Sequence, residues 1–108
     1  MITFNATTAD TYTLIHFEIE GGVCSPGDLE NLQPPKVDSS KGVVLSGRGP
    51  VWLYGCLLHH YHPAAWAATR DDRHGRDGRP AAVVVMSHAK AVKSGQVILM
   101  DKDNLEKE

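Results

Sequence analysis

Ser46-Gly47-Arg48-Gly49-Pro50-Val51-Trp52-Leu53 is the stretch that decides the fold. It follows the apolar run 42–45, which predicts a buried strand, and it leads into a helix that we expect to run from Pro50 to about Tyr61. Two glycines at a strand-to-helix turn let the backbone approach a ligand closely, and proline is favoured at the first position of a helix. The stretch therefore predicts a strand–turn–helix unit with its turn at the carboxyl end of the strand.

The chemistry of this turn suits an anion. The free N–H groups of a helix's first turn carry partial positive charge, and Arg48 adds a fork-shaped cation at the same place. The same residues also fit a tight turn with a solvated arginine, because a Gly-x-Gly pattern by itself is a weak signal. The local pattern leaves both interpretations open.

Predicted elements on both sides of this unit complete one sheet. Strands are predicted at 2–4, 11–20, 64–69, 81–86 and 96–100, with a short helical turn at 25–32 and a charged loop at 70–80. Tyr61 and Trp66 are expected in the core. This order of elements predicts an α/β fold, with one mainly antiparallel or mixed sheet and the principal helix packed on one face.

Length and composition limit the class of protein. A chain of 108 residues with 42% hydrophobic residues predicts a single domain over 1–108 with one core, and we expect the charged tail 101–108 to be frayed. A net charge of -2 argues against a general nucleic-acid coat protein. Cys24 and Cys56 form no C-x-x-C pair, and neither a secretory segment nor a membrane span is visible. We therefore expect free thiols and a cytoplasmic protein.

Histidine is the informative residue type for chemistry. His62 is predicted to end the helix, His88 to end a strand, and Asp71 to follow the strand after His62. A mixed imidazole and carboxylate set suits manganese, zinc or another divalent metal, and imidazole can also act as a general acid or base near pH 7. His62 is explained equally well by favourable interaction with the negative end of the helix. His60 and His74 are expected in solvent, whereas His16 lies in mid-strand as a packed or edge residue.

Several short motifs, taken together and in this order, resemble one family. They are Ser46-Gly47-Arg48-Gly49-Pro50-x-Trp52-Leu53, His59-x-Tyr61-His62, Asp71-x-Arg73 and Val83-Val84-Val85-x-Ser87-His88. They resemble the type III CRISPR-associated family known as Csx-three, renamed Crn-three for its ring nuclease activity. The resemblance implies a small ferredoxin-like domain that dimerises and cleaves cyclic tetraadenylate with manganese. It also implies deadenylation of single-stranded RNA 3′ ends, and dimers that stack head to tail around the cyclic ligand.

The resemblance assigns roles to particular residues. Ser46, Gly47, Arg48 and Gly49 would form the cradle for phosphate and ribose. His62 and Asp71 would be the leading catalytic and metal-site residues, and His59, Arg73 and His88 second-line members of that set. In a stack, we expect one dimer's cradle to hold the ring against His62 and Asp71 of the next. The attacking oxygen could come from a ribose 2′-OH or from water.

Two other classes of function fit parts of the sequence. The turn at Ser46 would serve equally well in a module that senses a cyclic oligoadenylate without cutting it. The charged loop could instead be the interaction surface of a structural partner protein. The set of His62, Asp71 and His88 favours an enzyme, because a pure sensor would not need it.

Overall fold

A computed structural model describes residues 1–101, and the predicted frayed tail lies outside the described residues apart from Asp101. The strands are β1 (Ile2–Thr8), β2 (Tyr12–Ile19), β3 (Gly42–Ser46), β4 (Trp66–Arg70), β5 (Ala81–Ser87) and β6 (Val97–Leu99). The main helix is α1 (Val51–His60), and short 3-10 helices span Glu20–Gly22, Pro26–Asn31 and Asp72–His74. The predicted α/β class is confirmed, and the architecture is consistent with a small ferredoxin-like domain.

The six strands form one mixed sheet in chain order. β2, β3 and β4 are mutually parallel, whereas β1 pairs with β2, β4 with β5, and β5 with β6 in antiparallel fashion. The carboxyl ends of the three central strands therefore meet at one edge, which we call the carboxyl edge. In α/β sheets this edge is where ligands are usually bound.

Alternation along the central strands sorts apolar side chains onto two faces. Ile15 and Leu45 face α1, where they form one core cluster with Leu53 and Leu57. Leucines and a valine from the crossover between β2 and β3 (Leu29, Leu32 and Val37) pack on the same cluster. The opposite face holds a second core cluster of Tyr12, Leu14, Val44, Trp66, Ala68, Ala82, Val84 and Met100. Both faces of the central strands are thus buried, which explains their nearly continuous apolar runs.

Two aromatic residues occupy the core as predicted. Tyr61 is 4% exposed and Trp66 is 5% exposed. The Tyr61 hydroxyl donates to the Pro35 carbonyl at 2.6 Å, and burial raises the pKa of Tyr61 to about 12. This bond ties the end of α1 to the crossover that precedes β3.

The structure corrects two predicted boundaries beside the turn. Pro50 caps α1 in an extended conformation, with φ -71° and ψ 157°, so the helix begins at Val51 rather than at Pro50. Arg70 is the last residue of β4, not the first residue of the charged loop.

Both cysteines are free, as predicted. Within residues 1–101, the structure contains no helix long and apolar enough to cross a membrane.

Candidate functional site

A cleft of ≈ 520 Å³ opens at the carboxyl edge of the sheet. Its lining residues are His16, Ser46, Gly47, Arg48, Tyr54, Arg70, Asp71, Asp72 and Arg73. The predicted cradle turn and the predicted Asp71–Arg73 pair thus share one cleft, because β3 and β4 are adjacent and parallel. Asp71 therefore lies beside the cradle of its own chain, and the expected stacking of dimers stays a prediction.

Three residues from adjacent strands form a row in the cleft. His16 on β2 pairs in register with Ser46 on β3, and Arg70 on β4 follows Thr69, the partner of Leu45. His16 Nδ1 lies 3.1 Å from Ser46 Oγ, and Arg70 donates to the same oxygen at 3.5 Å. Ser46 is only 1% exposed. Its hydroxyl therefore anchors the base of the cleft between an imidazole and a guanidinium.

The shape of the turn depends on Gly47. Its φ is 143°, which L side chains rarely adopt, and a Cβ at this position would lie 2.7 Å from the Phe17 carbonyl oxygen. The Tyr54 hydroxyl donates to the Gly47 carbonyl at 2.5 Å, and its ring packs edge-on against Phe17. Burial raises the pKa of Tyr54, although Arg70 acts in the opposite direction. Tyr54 therefore remains a protonated donor that fixes the turn.

Two of the three arginines in the cleft are paired with aspartates. Arg70 holds Asp72 through Nε and Nη2, both at 2.9 Å, and Arg73 holds Asp71 at 2.9 and 2.6 Å. These hydrogen bonds lower both carboxyl pKa values, and the pKa of Asp71 falls to about 2 chiefly through its side-chain bond to Arg73. Three arginines and two aspartates leave one net positive charge when His16 is neutral. Arg48 has no carboxylate partner among the described residues, so it supplies this charge.

The predicted histidines lie at the opposite edge of the sheet. His62 lies between α1 and the start of β4, and His88 follows the end of β5, which runs antiparallel to β4. The rings of His62 and His88 are 5.1 Å apart, and His88 Nε2 is 3.1 Å from the His62 carbonyl oxygen. That contact requires a proton on Nε2, which leaves Nδ1 of a neutral His88 as an acceptor. His59 is exposed near the end of α1, and its carbonyl accepts the N–H of His62.

The predicted metal pair is therefore divided within one chain. β4 has five residues, so at the usual rise about 16 Å of strand separates the edge at His62 from the edge at Asp71. Among residues 1–101, no group of three or more His, Cys, Asp or Glu side chains could hold a metal ion. Asp71 is also engaged on both oxygens by Arg73. The donor set of a single chain does not fit the predicted metal site, and a site that uses both residues needs two chains.

Sequence reasoning missed four cleft residues. His16, Tyr54, Arg70 and Asp72 contribute a ring nitrogen, the hydroxyl that fixes the turn, and one complete Arg–Asp pair. Arg70 could have been found, because it lies between the end of the predicted strand 64–69 and Asp71. His16 could not, since its place depends on the register of β2 against β3.

Comparison with known proteins assigns the chain to a family. Residues 16–99 match the sequence model of a family described as CRISPR-associated protein (Cas_csx3). An uncharacterized protein from Aquifex aeolicus (strain VF5) is 44% identical over 93 residues, which cover 82% of this chain and 78% of the relative. Residues 16–99, which match the family model, include every cleft residue and also His59, His62 and His88. The chain belongs to the Cas_csx3 family of CRISPR-associated proteins.

Proposed function

We propose that this CRISPR-associated protein is a ring nuclease that binds cyclic tetraadenylate and cleaves a phosphodiester bond in it, and so switches off type III CRISPR signalling. The observation that carries the proposal is the cleft at the carboxyl edge, where the turn at Ser46–Arg48 meets the arginines at the end of β4. Such a cleft offers a guanidinium and backbone groups to a phosphate. Deadenylation of single-stranded RNA 3′ ends is a secondary proposal, because it involves the same type of bond.

Arg48 is proposed to provide most of the binding to phosphate. It is exposed, it lines the cleft, and its charge is not neutralised by a carboxylate of the described residues. The guanidinium groups of Arg70 and Arg73 are already bound to aspartates, so they orient the cleft more than they attract the ligand. A charge-assisted bond to phosphate contributes about 1.5–3 kcal/mol. Arg48→Ala should therefore weaken binding by about 10- to 150-fold.

His62 is proposed to carry the chemistry, supported by His88 and His59. Its imidazole can accept the proton of the attacking oxygen, whether that oxygen belongs to a ribose or to water. Because His62 and the cleft lie at opposite edges of one sheet, the proposal requires a second copy. We propose two-fold dimers that stack head to tail, so that the ring lies between the cleft of one dimer and the His62 edge of the next.

Manganese, or another divalent metal, is part of the proposal. A bound metal would stabilise negative charge on the phosphate oxygens. Since a single chain lacks a complete donor set among residues 1–101, His62 and Asp71 would have to come from different copies. Asp71 would also have to release Arg73, because both of its oxygens are occupied.

A sensor that binds the ring without cutting it is the second candidate. Within residues 1–101, one chain brings the cradle turn and the arginines together in the cleft, but it does not bring together the side chains of a metal site. This difference favours a sensor. A sensor would need the cleft alone.

One experiment separates these functions. The pure protein is incubated with cyclic tetraadenylate in manganese and in excess chelator, and linear products are followed. A ring nuclease gives linear products with manganese and none with chelator, whereas a sensor binds the ring and leaves it intact. Full cleavage in chelator would remove the metal from the proposal and leave His62 as a metal-free base.

Variants test the division of labour between the two edges. His62→Ala should reduce turnover by about 100-fold or more and leave the Kd unchanged, with His60→Ala as the matched control on the same exposed segment. A mixture of Arg48→Ala and His62→Ala proteins should recover activity that neither shows alone. If the mixture stays inactive while wild type remains a dimer with ligand bound, the head-to-tail arrangement is wrong.

A further inference from the structure

A second hollow lies on the other side of Arg48 from the cleft. It has a volume of ≈ 400 Å³ and is lined by Ile19, Gly22, Val23, Cys24, Arg48, Gly49, Pro50 and Trp52. We call it the Trp52 pocket. It shares Arg48 and Gly49 with the predicted cradle, whereas no residue of the proposed catalytic set lines it.

The Trp52 pocket differs from the cleft in its chemistry. Apart from Arg48 at its border, its side chains carry no charge, and Ile19, Val23, Pro50 and Trp52 make it largely apolar. Val23 is 80% exposed. Gly21 and Gly22 have φ of 75° and 74°, which turn the chain at the end of β2 and place Val23 opposite the start of α1. An apolar hollow thus borders a phosphate-binding arginine.

The cleft and the Trp52 pocket both border Arg48, and a further hollow lies beside both of them. A third hollow, of ≈ 330 Å³, is lined by His16, Phe17, Glu18, Ile19, Gly22 and Arg48. It shares His16 and Arg48 with the cleft, and Ile19, Gly22 and Arg48 with the Trp52 pocket. A ligand that contacts Arg48 from the cleft can therefore extend over β2 into the apolar hollow.

We propose that the Trp52 pocket is a nucleobase subsite, which receives the base of the nucleotide whose phosphate is bound by Arg48. This inference rests on the proposed function. Proteins that bind single-stranded nucleic acids commonly combine cations that contact the backbone with aromatic surfaces on which bases stack. A nucleotide joins its anionic and planar apolar parts through one ribose, which matches two hollows that meet at Arg48.

The lining also predicts how selective the subsite is. Besides Arg48, the side-chain hydrogen-bonding groups in the lining are the Cys24 thiol and the Trp52 indole N–H, and neither forms a paired donor and acceptor for the edge of adenine. The subsite should therefore distinguish one base from another by stacking area and shape. We expect a preference for purines over pyrimidines, with little distinction between adenine and guanine.

Matched rings test the subsite. Cyclic tetraadenylate and cyclic tetrauridylate carry the same phosphates and differ in their bases. Wild type should bind the adenine ring about 10-fold more tightly, within the range expected for loss of base stacking. Trp52→Leu, which keeps an apolar side chain against the core, should bring the two affinities within about two-fold. Arg48→Ala should weaken both rings equally. Val51→Ala is the control, because Val51 is 85% exposed and does not line the pocket.

Each outcome has a defined meaning. Loss of discrimination in Trp52→Leu, with loss of the ligand-induced change in tryptophan fluorescence, supports the subsite. Undiminished discrimination in Trp52→Leu overturns the subsite and leaves the proposed function intact, provided that Arg48→Ala still weakens binding. If wild type binds neither ring, both proposals are wrong. Dissociation of the dimer by Trp52→Leu with undiminished discrimination would assign the pocket to a second copy of the chain instead. Circular dichroism verifies that each variant is folded.

Discussion

Gly47→Ala is the sharpest test of how the turn is built. Gly47 has φ 143°, and the added Cβ would lie 2.7 Å from the Phe17 carbonyl oxygen and 2.8 Å from two atoms of its ring. The carbonyl belongs to β2, which pairs on both sides with neighbouring strands. The ring is 1% exposed and packs against Tyr54. Neither group can move away without disturbing the core.

The magnitude follows from two costs. An unfavourable backbone conformation costs about 1–3 kcal/mol, and overpacking a buried site costs about 1–3 kcal/mol more. Gly47→Ala should thus lower the free energy of unfolding by about 2–6 kcal/mol, a large part of the roughly 5–15 kcal/mol of a typical domain. A domain of this size loses about 4–8 °C in Tm per kcal/mol. The Tm should therefore fall by at least about 8 °C.

Gly55→Ala is the matched control. Gly55 lies on the exposed side of α1, and a Cβ there would meet nothing within 4 Å. The same substitution should raise the free energy of unfolding by about 0.5–1 kcal/mol, because alanine loses less conformational entropy in a helix. Urea denaturation followed by circular dichroism measures both. If Gly47→Ala were as stable as wild type, the turn would not require glycine and the account of the cradle would fail.

Two further predictions concern the Asp71–Arg73 pair and the core. The carboxyl resonance of Asp71 should titrate at about 2 in wild type and near the ordinary value of about 3.9 in Arg73→Ala. Because the pKa of Asp71 is lower in the folded state than in the unfolded state, this pair stabilises the fold above about pH 4, and its contribution is lost as the pH falls through 2. An ordinary pKa for Asp71 in wild type would contradict the pairing. Leu57→Ala removes a fully buried side chain from the α1 face and should cost about 2–5 kcal/mol in urea denaturation; a loss below about 1 kcal/mol would show that the helix is loosely packed.

The sequence predicted the strand–turn–helix unit well, because its signals are local. The run 42–45 is apolar throughout, Gly47 is needed for its φ, and Pro50 stops the chain from continuing as strand. Such signals depend on a few neighbouring residues and do not need tertiary contacts. Only the role of Pro50 differed, by one position, since it caps the helix instead of beginning it.

The composition of the cleft could not be predicted, because it depends on register. His16 reaches Ser46 only when Tyr12 pairs with Gly42, and a slip of one residue would turn His16 to the helix face. Nothing in the local sequence of β2 or β3 fixes that pairing. It results from packing both strands against two core clusters at once.

The separation of His62 from Asp71 could have been anticipated. The two residues are nine positions apart, which suggested proximity, yet a strand was predicted between them. A strand carries the chain from one edge of a sheet to the other, so residues that flank it cannot share a site within one chain. Any function that joins them is therefore intermolecular.

The charge balance of the cleft predicts how ring binding responds to salt. Arg70 and Arg73 are each bound to an aspartate, so a phosphate gains little by approaching them, and Arg48 contributes the unbalanced charge. In a two-fold dimer, two arginines would then neutralise two of the ring's phosphates. For single strands, the slope of log K against log[salt] is about -0.7 per neutralised phosphate, so two neutralised phosphates should give a slope of about -1.4.

Engagement of all the cleft arginines would give a much steeper dependence. Six arginines in a dimer could neutralise all four phosphates of a tetranucleotide ring, with a slope near -2.8. Titrations of His62→Ala, in which we expect cleavage to be slow, with cyclic tetraadenylate at several salt concentrations distinguish the two cases. In Arg48→Ala the slope should approach zero, because the remaining arginines stay bound to Asp71 and Asp72. A slope near -2.8 in the parent that persists in Arg48→Ala would show that the ligand breaks both Arg–Asp pairs. In that case Asp71 would be released by ring binding, and its carboxylate would become available only in the complex.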